Sequence, residues 1–152
     1  MTSTMPSSTR SEPRGRRPNV AETIDKYMSP TPHTIGRDQT LAKAHEMMRE
    51  HGVRHLPVLD GGKLIGVVSD RDLKFVQSLK DVDPKKVPVE QAMTDEPFTV
   101  ALDAKIEPTV REMVRKKYGC AIVMSDGKVV GIFTTIDALQ ALAWVLDLLD
   151  DD

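Results

Sequence analysis

Gly66-Val67-Val68-Ser69-Asp70-Arg71-Asp72 and Gly131-Ile132-Phe133-Thr134-Thr135-Ile136-Asp137 carry one pattern: glycine, two apolar residues, Ser or Thr, two residues, then Asp. The apolar step before the hydroxyl reads as the end of a strand. Ser or Thr followed three residues on by an acid reads as the start of a helix. Two functions share this geometry. In the plainer one the hydroxyl accepts the third helical amide and the Asp reaches back, forming a capping box. In the other, the helix start attracts an anion, the hydroxyl reaches a phosphate, and the Asp accepts hydrogen bonds from vicinal hydroxyls such as those of a ribose. Phosphate and ribose together describe a nucleotide.

The 65-residue offset between the two motifs extends outward without a gap. Met28 falls on Met93, Thr34 on Thr99, Asp38 on Asp103, Met48 on Met113, and Gly62-Lys63 on Gly127-Lys128. Ten of the 46 pairs between 28–73 and 93–138 are identical, so the chain is a duplication. Each copy predicts the same elements. A short helix runs to Met28 or Met93, and a brief strand follows around His33–Ile35 or Phe98–Val100. Asp38 and Asp103 are the expected caps of the next helix. Leu41, Ala44 and Met48 give that helix its apolar face in copy one, with Gly52 as its stop. Ile106, Val110, Met113 and Val114 do the same in copy two, with Gly119 as the stop. Leu56–Leu59 with Leu64–Val68, and Cys120–Met124 with Val129–Phe133, flank Gly-containing turns and read as β-hairpins. Ser69 and Thr134 then cap a closing helix. The unit is β-α-β-β-α, twice over, an α+β fold.

Residues 1–19 differ from the rest: Ser, Thr, Pro and four arginines against Glu12, a charge of +3. Such a segment buries too little to offset its ordering entropy and reads as a solvated tail. It has no apolar stretch of a secretory signal, and Pro6, Pro13 and Pro18 oppose the helix of a transit peptide. The expected domains are 1–19, 20–84 and 85–152. Over the whole chain, 21 Lys and Arg face 23 Asp and Glu, a net charge of −2 that gives no drive toward nucleic acid or anionic lipid. Aromatics are 4%, too few for a base-stacking platform, and no apolar run reaches membrane-spanning length. A single cysteine, Cys120, rules out an internal disulfide and fits a reducing, cytoplasmic setting. His51 and His55 are separated by Gly52, and His45-Glu46 lacks a second histidine at zinc-hydrolase spacing, so no metal is expected. Cys120 opens an apolar strand and reads as packing rather than a nucleophile.

The ordered set of apolar run, Gly turn, apolar run and Gly-apolar-apolar-Ser/Thr-x-x-Asp, with His55-Leu56-Pro57-Val58 as the first strand in copy one, resembles tandem CBS domains, the Bateman module. The resemblance covers about residues 20–145. It implies two β-α-β-β-α repeats packed through their sheets with pseudo-twofold symmetry, leaving two clefts. In many members the clefts take AMP, ADP, ATP or S-adenosylmethionine, with no other cofactor required, and modules pair into flat dimers that sense a ligand. On this resemblance Asp72 and Asp137 match the ribose-binding aspartates, and Ser69 and Thr134 the hydroxyls beside phosphate or ribose. Arg54, His55 and Arg71 match basic positions near phosphates. Thr34-Ile35 and Thr99-Val100 match the adenine-lining segments. Copy two has Gly119, Cys120 and Ile136 at the basic positions, so phosphate contacts should come from copy one.

The last helix, Leu139 to Leu149 with Trp144 inside it, is apolar nearly all round, which points to a subunit interface and a homodimer. The expectation is a stand-alone adenine-nucleotide sensor, not an enzyme, acting in trans on an unidentified protein partner. The competing expectations are a ligand-free interaction protein and a small enzyme using Cys120 or the histidines.

Overall fold

A computed structural model describes residues 22–150; the tail at 1–19 lies outside the described residues. In chain order the strands of the first half are β1 (Ser29–Pro30), β2 (Ile35–Gly36), β3 (His55–Asp60) and β4 (Lys63–Ser69). Those of the second half are β5 (Thr94–Asp95), β6 (Thr99–Ala101), β7 (Cys120–Ser125) and β8 (Lys128–Thr134). The helices are α1 (Leu41–His51), α2 (Asp70–Gln77), α3 (Ile106–Lys116) and α4 (Thr135–Asp150). The two hairpins form as their turn residues dictate. Gly61 and Gly62 take φ of 58° and 86°, and Asp126 and Gly127 take 53° and 75°, the left-handed pair a two-residue hairpin turn requires.

The strands form two sheets, ordered β2-β3-β4-β5 and β1-β8-β7-β6. The pairs β2–β3 and β6–β7 are parallel and the others antiparallel. Each sheet therefore ends in a strand from the other half of the chain. β1 opens the first copy yet pairs with β8, and β5 opens the second yet pairs with β4. The exchange includes the segment before each strand. Ile24 packs in the core with Ala121, Val123 and Phe133, while Val89 packs with Leu56, Val58 and Val68. A third apolar cluster joins Cys120, Ile122 and Ile132 to Leu64 and Val67, packing the two repeats through their sheets.

Local details differ from the sequence expectations where the exchange intervenes. The short helices before Met28 and Met93 are single 3-10 turns, Ile24–Lys26 and Val89–Gln91. Asp38 and Asp103 do not cap α1 and α3. Thr40 caps α1, its hydroxyl accepting from the Lys43 amide at 3.1 Å, and α3 starts after Lys105 with no side-chain cap. The reason is that the incoming leader satisfies the helix start: Leu41 donates its amide to the Val87 carbonyl and Ile106 to that of Glu22, both at 2.9 Å. Gly52 ends α1 with φ 66°, but Lys117, not Gly119, takes the left-handed position that ends α3, at φ 60°. β2 begins at Ile35, leaving His33 and Thr34 just outside it, and His33 stacks on His51 with ring centroids 3.6 Å apart.

Candidate functional site

The site is built at the end of each sheet where the hairpin turns into the closing helix. Ser69 and Thr134 end β4 and β8, and the antiparallel register sets them opposite His55 and Cys120, the first residues of β3 and β7. Both capping boxes are closed. Ser69 Oγ accepts from the Asp72 amide while Asp72 Oδ2 accepts from the Ser69 amide, each at 3.0 Å. Thr134 Oγ1 accepts from the Asp137 amide at 3.2 Å, and Asp137 Oδ2 accepts from the Thr134 amide at 2.9 Å. The first amide of each helix is also engaged, Asp70 donating to the Arg54 carbonyl at 2.9 Å and Thr135 to that of Gly119 at 3.2 Å. The plainer reading of the motif therefore holds as structure. It leaves each carboxylate anchored at a helix start, with acceptor capacity beyond the box.

Six of the sequence-derived residues, Arg54, His55, Ser69, Asp72, Gly119 and Cys120, gather across the repeat boundary. Arg54, exposed, and His55, half-buried, lead into β3, beside Ser69 and Asp72. A Cβ at Gly119 would lie 3.0 Å from His55 Nε2, so the glycine lets the imidazole of one repeat lie against the backbone of the other. Burial lowers the His55 pKa from its ordinary 6.5; the Asp72 carboxylate opposes that shift and Arg54 adds to it. Burial also pushes the Cys120 thiol up to about 12, with Asp72 adding to the rise, so the thiol stays protonated and packs rather than attacks. Arg71 is exposed in the first turn of α2, so Arg54 and Arg71 bring the positive charge.

The remaining residues belong to the second box and to the first strands of the two sheets. Thr134 and Asp137 form the equivalent box in copy two, and Asp137 is buried. Thr34 precedes Ile35, which pairs with Val58, placing Thr34 toward the His55 end of its sheet. Thr99 and Val100 pair with Ile122 and Val123, the matching place in the other sheet. The sequence reading missed Ser29, whose hydroxyl donates to Asp137 Oδ1 at 3.0 Å. Its only signal was the repeat itself, Met28-Ser29-Pro30 over Met93-Thr94-Asp95. Among the described residues no group of three or more His, Cys, Asp or Glu is arranged to hold a metal, and no helix is long and apolar enough to cross a membrane.

Two interleaved β-α-β-β-α repeats, each ending its hairpin in a closed Ser/Thr-x-x-Asp box, define a paired-repeat module. The chain belongs to the CBS domain family, whose profile matches residues 21–78 and 89–143. An inosine-5'-monophosphate dehydrogenase of Korarchaeum cryptofilum is 31% identical over 105 residues, 68% of this chain, which spans only 21% of that protein. A protein assigned to acetoin utilization, AcuB of Vibrio cholerae, has a similar structure at TM-score 0.74 and 30% identity, covering 86% of this chain and 96% of that one. CBSX2, crystallised in complex with AMP, aligns at TM-score 0.70 and 29% identity, covering 80% of this chain and 97% of that one.

Proposed function

We propose that this protein is a cytoplasmic regulatory module that binds AMP, ADP or ATP in the clefts between its repeats and passes its state to a partner protein in trans. The observation that carries this reading is the cluster around Asp72, an anchored carboxylate with Arg54 and a half-buried His55 near it and Arg71 exposed in the same first turn of α2. The likeness to CBSX2, crystallised with AMP, supports an adenosine-containing ligand. Asp72 and Asp137 are the ribose acceptors. Arg54 and Arg71 meet phosphates as cations, and His55, with its lowered pKa, meets them as a neutral hydrogen-bond donor. Thr34-Ile35 and Thr99-Val100 line adenine, and Gly119 and Cys120 form the uncharged wall opposite the arginines.

Calorimetry with adenosine, AMP and ATP tests this. Arg54→Ala and Arg71→Ala each weaken ATP binding about tenfold or more, the loss of a hydrogen bond to a charged group. They leave adenosine binding nearly unchanged. Equal losses for adenosine and ATP overturn the phosphate assignment and favour a ligand without phosphates, such as S-adenosylmethionine. The second reading, a ligand-free interaction protein, draws on the closed capping boxes; it is supported if no adenosine compound binds.

A further inference from the structure

The two carboxylates of the repeated motif are not equally placed to receive a ligand. Asp72 is half-buried, and among the described residues its carboxylate accepts one hydrogen bond, from the Ser69 amide. Asp137 is 8% exposed, and its carboxylate accepts three. The Thr134 amide reaches Oδ2 at 2.9 Å and the Thr134 hydroxyl at 3.2 Å, while the Ser29 hydroxyl reaches Oδ1 at 3.0 Å. An ionised carboxylate offers about four acceptor positions. Asp137 thus keeps about one, and a vicinal diol needs two.

Ser29 comes from 108 residues away, carried in on the exchanged strand β1. Its equivalent on β5 is Thr94, which pairs with Val67 just as Ser29 pairs with Ile132. Backbone symmetry is therefore intact at this point, yet Thr94 makes no side-chain bond to Asp72 among the described residues. At the two carboxylates the difference is two hydroxyls: that of Thr134, within the box, and that of Ser29, which alone comes from the other half of the chain.

We propose that Ser29 is a built-in occupant of the Asp137 carboxylate, standing where a ribose hydroxyl would bind. The Asp72 cleft then takes an adenosine ligand first, and the Asp137 cleft takes one only when β1 withdraws Ser29. This rests on the nucleotide reading of the motif given above. It adds a regulation to that reading. Filling the second cleft must break a hydrogen bond to a charged acceptor and disturb the strand that ties the first half of the chain to the sheet of the second. Occupancy of that cleft is thereby coupled to the way the two repeats are held together.

Calorimetric titration of the full chain with AMP tests the order. The wild type shows one binding event per chain, and Asp72→Asn removes it. Ser29→Ala frees Oδ1 and brings in a second event, at least tenfold tighter than any second event of the wild type. Ser29→Thr, which keeps the hydroxyl, restores the single event, and Thr94→Ala leaves the titration as in the wild type. Loss of binding in Asp137→Asn but not in Asp72→Asn overturns the inference and leaves the nucleotide reading standing. So does a Ser29→Ala titration that superimposes on the wild type when both proteins show native circular dichroism. Absence of binding by AMP, ADP, ATP and S-adenosylmethionine to every variant removes the nucleotide reading, and the inference falls with it.

Discussion

His55 carries the most consequential single-residue environment in the molecule. It is a titratable ring pressed against the backbone of the opposite repeat at Gly119. Its folded pKa lies below the ordinary 6.5 because burial penalises the cation, partly offset by Asp72. The unfolded chain therefore takes up a proton as pH falls through about 6.5, before the folded chain does. His55 contributes stability that is fully present above that value and is lost progressively as pH falls toward the lower folded pKa. Urea unfolding at about pH 7.5 and about pH 5.5 should show the wild type weaker in acid, and His55→Gln should show a smaller difference. An equal acid loss in both proteins would place the titration elsewhere. At this scale the sequence was legible wherever chemistry is local. The Ser69–Asp72 and Thr134–Asp137 boxes and the Gly61-Gly62 and Asp126-Gly127 turns are each set by residues within a few positions of one another. Ser29 on Asp137 was not legible, because nothing within one segment marks a partner 108 residues away.

At the level of elements, sequence order and spatial order part company. Two-residue strands such as β1 and β5 carry no periodicity to read, and a lone Ile24 or Val89 does not declare which core it enters. The capping residues moved for the same cause, since the exchanged leaders, not Asp38 and Asp103, meet the first amides of α1 and α3. The exchange makes a specific prediction. Ile24 is fully buried beside Ala121, Val123 and Phe133, so Ile24→Ala leaves a cavity in the second repeat although residue 24 belongs to the first. The cost is about 2–5 kcal/mol. Hydrogen exchange read by peptide should show the β7–β8 hairpin losing protection before β3–β4 does. Val89→Ala should give the reverse order. Loss of protection first in the hairpin nearest in sequence would contradict the exchange.

For the whole molecule the unresolved demand is the outer face of α4. One side of this helix is spent within the chain, where Trp144 packs edge-on against Tyr27 with ring centroids 6.3 Å apart. Ile136, Leu139, Leu142, Leu146 and Leu149 remain exposed on the other side, and Val114 on α3 is 72% exposed. Between α3 and α4 runs an apolar groove of about 510 Å³, floored by Val110, Val114, Ala141 and Val145. Leu142 lines it too, Leu146 is exposed one turn further along α4, and Glu107, Arg111 and Arg115 supply both signs of charge along it. A surface that carries exposed leucines, an apolar groove and opposite charges suits a second copy of itself related by a twofold axis. The homodimer expected from the apolar helix is predicted to use the Leu142 and Val114 face, with Trp144, packed on Tyr27 of the same chain, supporting the fold. Light scattering after gel filtration should return twice the 16.9 kDa chain mass. Leu142→Lys with Val114→Lys should raise the dimer dissociation constant at least about tenfold, because charge enters a desolvated apolar contact, while far-UV circular dichroism stays native. Trp144→Ala should lower Tm more than it weakens the dimer, since its packing partner Tyr27 lies in the same chain. A double variant that is folded and dimerises as tightly as the wild type would move the interface off α3 and α4.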